Sequence, residues 1–286
     1  MKILFQLFFV ATLFANKASA QNSPIIIASI NPIYQILLAI TEDKNNSILL
    51  IDPQRSEHDY ELRKSDIGNL TKADLVFYID DSLEKNFSVL IKNFSLENKS
   101  YSVSKIAGVK ILKQKNNPTK LDPHIWLNPQ NAVRIAEFMA QKICEIDQKN
   151  CQKYQKNYQN FSQKITKKQI KIAKDLEPLR NVGFVFYHDG YQYFEEYFNL
   201  KSRMILSYDG AAEMNIKSLR KFDELVKTGK VKCLFGELID EKNTAQKLAK
   251  KYGLNFVALS AIGSDANQDY FDLISSLADK MKGCEG

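Results

Sequence analysis

From residue 24 onward the chain alternates between two hydrophobic periods. Short unbroken apolar runs at 24–30 (PIIIASI), 47–51 (SILLI) and 73–79 (ADLVFYI) read as strands buried on both faces, and 102–106 (SVSKI) reads as a weaker fourth. Between them, apolar residues recur at steps of three and four in IYQILLAIT (33–41) and QNAVRIAEFMAQKICEI (130–146), the period of a helix with one buried face. Asn31-Pro32 and Asn128-Pro129 stand where these helices begin and read as N-cap and first-turn pairs. The same alternation returns after residue 181, with strands predicted at 182–187, 203–208, 231–235 and 255–259 and helices around 190–198, 216–228, 243–252 and 270–282. Gly229 and Gly253 sit where helix ends favour a left-handed residue. Strand and helix in regular alternation predict an α/β fold with parallel sheets.

Residues 150–176 break this rhythm. They contain no Gly or Pro, and Tyr154, Tyr158, Phe161, Ile165, Ile170 and Ile172 are set among lysines and glutamines. The stretch predicts one helix of roughly 40 Å at 1.5 Å per residue. Its apolar positions keep no clean heptad, so a rigid connector is preferred to a coiled coil. The chain therefore divides into a leader at 1–20, an N-terminal α/β lobe at 21–149, a connecting helix at 150–180 and a C-terminal α/β lobe at 181–286. No low-complexity linker separates the halves, so they are expected to move little relative to each other.

The leader carries Lys2, an apolar run from Ile3 to Ala15 and the small residues Ala18-Ser19-Ala20, the pattern of a secretory signal. Its apolar run is too short for the roughly 20 residues of a membrane span. No cysteine follows the cleavage position, so a soluble, exported protein without a lipid anchor is expected, most simply periplasmic. The net charge of +7 loses Lys2 and Lys17 with the leader; the remaining lysines are interspersed with Asn, Gln and Glu and read as a solvated surface rather than a nucleic-acid face.

Export makes pairing of the four cysteines the natural expectation. Three connectivities are possible. Cys144 with Cys151, close together where one helix stops and the next begins, and Cys233 with Cys284, which would tie the tail to a core strand, is the favoured set, preferred to a Cys metal site because the spacings lack the C-x-x-C pairs of zinc-thiolate sites.

The chain has only three histidines, and all fall in loops at or beyond strand ends: His58 in SEHDY, His124 in DPHIWLNP and His188 directly after the strand 182–187. In open α/β sheets ligands bind outside the carboxyl ends of strands. Three neutral imidazoles suit Zn²⁺. Asp59, Asp122 and Asp189 lie one or two positions from the respective histidines and are candidates to orient their rings, with local backbone capping an equally good use of them. Trp126 stands beside His124 either as a dry wall or as ordinary core. Glycine-rich nucleotide loops, the G-x-S-x-G elbow and H-E-x-x-H are absent from the sequence.

The stretches ASINPIYQILLAI, EHDYELRKSDIGNLTKADLVFYI, DPHIWLNPQNAVRIA, FVFYHDGYQYFEEYFNL and KCLFGE, in this order and spacing, resemble the metal-binding lipoprotein and adhesin family, the substrate-binding proteins of zinc and manganese ABC importers. The resemblance spans essentially the whole chain beyond the leader and is strongest to the zinc-uptake members. It implies two lobes joined by one long helix with the metal held between them, metal ligands at His58, His124 and His188, delivery of the ion to an inner-membrane ABC permease, and a disulfide from Cys233 to Cys284. A histidine at position 188, where manganese members tend to carry a carboxylate, points to zinc. Where many relatives place a ligating aspartate this chain has Ser260, so the fourth donor is open: Glu57 first, then water, then Asp265. The His- and acid-rich loop of many zinc members is replaced by lysine-rich KILKQKNNPTK (residues 111–120 with Lys110), which has no histidine. A monomeric receptor without enzymatic activity is expected; the alternatives are a manganese or iron receptor, a secreted zinc hydrolase using Glu237 or Glu57 as base, and an adhesin.

Overall fold

The computed structural model describes residues 23–54, 63–115, 117–207, 216–238, 243–263 and 265–285. Two four-stranded parallel sheets form its frame. The first contains β1 (Ile26–Ala28), β2 (Ser47–Leu49), β3 (Leu75–Tyr78) and β4 (Ser100–Ser102) in the order β2-β1-β3-β4. The second contains β5 (Phe184–His188), β6 (Ile205–Ser207), β7 (Cys233–Glu237) and β8 (Asn255–Leu259) in the order β6-β5-β7-β8. Every pairing is parallel, and in each sheet the order reverses beside the first strand, which opens a crevice at the carboxyl ends.

The helices follow the predicted alternation: α1 (Asn31–Thr41), α2 (Lys64–Lys72), α3 (Phe87–Asn93) and α4 (Pro129–Ile146) accompany the first sheet. After the long α5 (Cys151–Asp175) come α6 (Gln192–Phe198), α7 (Ile216–Lys227), α8 (Thr244–Tyr252) and α9 (Tyr270–Lys282). Asn128 caps α4, its side chain accepting from the amides of Gln130 and Asn131, and Gly253 closes α8 with φ +66°. The strand expected at 102–106 ends at Ser102, because Val103–Lys105 turns into a single 3-10 turn.

Alternation along β5 explains how the second sheet is covered. Phe184 and Phe186 point into the large core shared with α1, α4, α5 and α9, whereas Val185 and Tyr187 join the smaller cluster formed with Phe222 of α7 and Ala245 and Ala249 of α8. Helix α5 buries Tyr154, Asn157, Phe161, Ile165 and Ile172 along one stripe and packs on α4, α1 and α9, so it is a wall of the core as well as a link between sheets. Cys144 and Cys151 are disulfide-bonded, with Cα atoms 4.6 Å apart, which pins the α4–α5 corner. Cys233 and Cys284 differ from expectation: both are buried free thiols. They touch because the last turn of the described chain folds back over the first residue of β7, yet no bond joins them.

Asn31 also departs from its expected role. The residue in the N-cap position of α1 is Ile30, and no side chain caps the helix. Instead the buried Asn31 amide donates across the lobes to the carbonyl of Ile262 at 2.9 Å and accepts from Gln35 Nε2 at 3.0 Å. A short polar side chain at a helix start suits either use, and here the long-range bond wins.

Candidate metal centre

Residues 122–129 form a turn in which almost every polar group is fixed. The Asp122 carboxylate oxygen Oδ1 accepts from the His124 backbone amide at 3.0 Å and faces His124 Nδ1 at 2.8 Å, with both side chains about 2% exposed. An acceptor at Nδ1 places the proton there and leaves Nε2 as the unprotonated nitrogen, the tautomer a metal requires. The second Asp122 oxygen accepts from Gln192 at 3.3 Å, and the Asp122 carbonyl accepts from the Tyr193 hydroxyl at 3.1 Å, so α6 of the other lobe helps to hold this carboxylate. Trp126 is fully buried; its Nε1 donates to the Ala261 carbonyl at 2.7 Å, and its own carbonyl accepts from the Tyr270 hydroxyl at 2.6 Å. The indole ring is 5.3 Å from the His124 ring, so it serves both as core and as a dry wall.

His188 is the last residue of β5, and its ring centroid lies 5.5 Å from that of His124 at an interplanar angle of 70°. Gly190 defines the space between them. A Cβ built on Gly190 stands 3.3 Å from His124 Nε2 and 3.3 Å from His188 Nε2, so both nitrogens border one small volume that the missing side chain leaves free. Asp189 lies against the same region. Burial pushes its carboxyl up to about 6, with the positive charge of Lys115 opposing the rise and the negative charge of Asp122 adding to it. No hydrogen bond joins Asp189 to His188: its buried Oδ1 has no partner among the described residues.

The remaining expectations separate clearly. His58, Glu57 and Asp59 lie outside the described residues, and among the described residues no group of three His, Cys, Asp or Glu side chains forms a metal cluster. Asp265 is exposed and its carboxylate accepts from the Asn267 amide at 2.7 Å, so it closes a local turn instead of reaching inward. Ser260 is buried at the carboxyl end of β8. Glu237 ends β7 and accepts from the Tyr191 hydroxyl at 2.9 Å. The residues missed by sequence reasoning are Gln192, Tyr193, Glu195 and Asn31, all of which act through partners far away in the chain.

The chain has clear relatives among known proteins. A curated relative from Haemophilus ducreyi, named "High-affinity zinc uptake system protein ZnuA", is 24% identical, the match covering 91% of this chain and 92% of the relative. The "Metal ABC transporter substrate-binding lipoprotein SsaB" of Streptococcus sanguinis is 27% identical over 95% of this chain and 94% of its own length. Among solved structures, a zinc-bound deletion mutant of ZnuA superposes with a TM-score of 0.81 at 21% identity, covering 92% of this chain and 98% of that one. The profile of the family described as "Zinc-uptake complex component A periplasmic" matches residues 26–284, and the chain belongs to this ZnuA family.

Proposed function

We propose that the chain is the high-affinity Zn²⁺ receptor of an ABC importer, capturing the ion in the periplasm and delivering it to the inner-membrane permease. The observation that carries this reading is the His124–His188 pair: two Nε2 atoms on opposite lobes border one space, and a buried carboxylate sets the tautomer of one ring. His58 and Glu57 complete the proposed ligand set with His124 and His188, while Asp122 orients a ligand and Asp59 and Asp189 shape the field. Zinc is preferred to manganese because imidazole donors suit it, whereas manganese favours more oxygen donors.

We further infer a monomer made of a leader at 1–20, lobes at 21–149 and 181–286 and a connecting helix at 150–180. The family is one of transport receptors rather than enzymes, and Glu237, the candidate base of a hydrolase, is occupied by Tyr191. Capture requires neutral imidazoles, so affinity falls as pH drops through about 6.5. The deciding experiment is the metal content of the purified protein and of His58→Ala, His124→Ala and His188→Ala, with Zn²⁺ and Mn²⁺ competed in a thermal-shift assay. Zinc in the wild type and its loss in each variant is the expected result; wild-type metal content in all three rejects the proposed ligands.

A further inference from the structure

The lysines of this chain do not form a basic stripe in sequence, yet folding gathers six cations around one groove. Elsewhere on the helical surface several lysines are answered by an acid one turn away, as in Lys142–Glu145, Lys171–Asp175, Lys227–Asp223 and Lys282–Asp279. An open groove of about 680 Å³ at the seam of the lobes is different. Lys113 and Lys115 enter it from the N-terminal lobe, Lys201 and Arg203 from the segment leading into the edge strand β6, and Lys217 and Lys221 from α7. The two carboxylates in its wall are already engaged: buried Glu195 accepts from the Ser202 amide and pairs with Lys115 at 3.1 Å, and Glu196 pairs with Lys110. Lys113, Lys201, Arg203, Lys217 and Lys221 have no ion-pair partner among the described residues.

We propose that this groove is a binding site for a small multivalent oxyanion, bearing phosphate or carboxylate groups, separate from the metal centre. Five unneutralised cations facing a shared concavity repel one another, and a ligand with two or more negative charges replaces that repulsion with attraction to both lobes at once. The volume falls within the range of small-molecule sites and gives no extended track for a polymer. Arg203 offers a planar fork for two oxygens, and the lysines supply mobile point charges around it. The groove also borders the metal centre: Gln192 lines it and donates both to the Lys113 carbonyl and to Asp122, the carboxylate that orients His124.

The test is calorimetric titration of the metal-free mature protein with inorganic pyrophosphate and, separately, with citrate. Metal-free protein is used because both anions chelate zinc. Saturable one-site binding that weakens as salt is raised is expected for at least one of them, and the stronger of the two names the source of the charge. The variant Arg203→Gln/Lys217→Gln/Lys221→Gln should lose about tenfold or more in affinity. Lys217→Arg/Lys221→Arg should retain binding. A variant with the same change in net charge elsewhere, Lys85→Gln/Lys92→Gln/Lys250→Gln, should bind as wild type. No saturable binding of either anion, an equal loss in the distant variant, or binding of an acidic peptide where neither small anion binds would each overturn the proposal.

Discussion

Trp126 Nε1 donates a 2.7 Å hydrogen bond to the carbonyl of Ala261, which joins the turn carrying His124 to the loop that follows β8 in the other lobe. The bond is fully buried, so its removal exposes no compensating water. Trp126→Phe keeps an aromatic wall but leaves the Ala261 carbonyl unpaired, at a cost of about 1–3 kcal/mol. A fall in melting temperature of roughly 2–10 °C follows for a chain of this size. Thermal denaturation of the metal-free protein measures it, and an unchanged midpoint would show that the indole bond does not hold the lobes together.

Asp122 makes a more specific prediction about affinity. Its carboxylate fixes the Nδ1 proton of His124, and an outer carboxylate of this kind typically contributes 10–100-fold to metal binding. Asp122→Asn is close in shape, can present an amide donor to Nδ1 and loses the negative charge. Zinc affinity, measured by competition with a chromogenic chelator, should weaken by about 10–100-fold while the fold survives. Wild-type affinity in this variant would mean that His124 needs no orienting partner.

The space above Gly190 can be filled in steps. A Cβ there meets His188 Cδ2 at 3.0 Å and both Nε2 atoms at 3.3 Å, a crowding that a shift of a few tenths of an ångström relieves. Gly190→Ala should therefore weaken zinc binding modestly, and Gly190→Val, whose two methyl groups occupy the volume between the rings, by about tenfold or more, since metal–nitrogen distances tolerate only about 0.2 Å. The chelator competition reads the series. Equal affinity for Gly, Ala and Val would place the ion somewhere other than between His124 and His188.

What was legible in the sequence is what local chemistry determines. Apolar runs located seven of the eight described strands to within a few residues, as expected of parallel strands packed between layers, whereas β4, short and only half-buried, was placed two residues too late. DPHIWLNP disclosed its turn because Asp122, Asn128 and Pro129 act on neighbours two or three residues away. Asn31 has the same local signature as Asn128, but its partner Ile262 lies 231 positions further on, and nothing near it in sequence announces that bond. Gln192, Tyr193 and Glu195 reach back across 70, 71 and 80 positions to Asp122 and Lys115, so their place in the site exists only after the lobes meet. The short helices α2 and α3 carry too few turns to show a period. The basic groove was hidden for the same reason, because its cations come from three separated segments.

The buried cysteines give a redox prediction. Cys233 and Cys284 are adjacent thiols in the core of the second lobe, and contact with each other followed by burial raises the Cys233 thiol far above its ordinary range. A thiol held protonated attacks a disulfide slowly, so the pair should resist exchange once folded. The structure joins Cys144 to Cys151 and leaves Cys233 and Cys284 as touching thiols, so intact mass under non-reducing conditions should correspond to two disulfides only where export through an oxidising compartment closes the second pair, and to at most one in protein made under reducing conditions. Refolding in reductant should give free Cys233 and Cys284 that small alkylating reagents reach only after denaturation. Rapid alkylation of the native reduced protein would contradict their burial.

Glu84 makes the stability of the first lobe depend on pH. It is buried in the turn after β3, where its two oxygens accept from the amides of Ile79 and Asp80, each at 3.0 Å. Burial pushes its carboxyl from 4.5 up to about 7, with the two amides pulling the other way. The folded value lies above the unfolded one, so between them the native chain holds a proton that the unfolded chain has released. The native state is therefore favoured most below the unfolded value, and that advantage is lost as pH rises from 4.5 to about 7. The loss is on the scale of about 3 kcal/mol, one pKa unit being about 1.4 kcal/mol. Glu84→Gln carries a neutral group at every pH and keeps an oxygen for one of the amides, so its stability lacks this pH-dependent contribution and its offset from wild type changes across the range. Melting temperatures of the metal-free proteins across this range should show wild type falling with rising pH relative to Glu84→Gln. Parallel curves would mean that Glu84 is ionised in the fold throughout, and that its two amide bonds outweigh the cost of burying the charge.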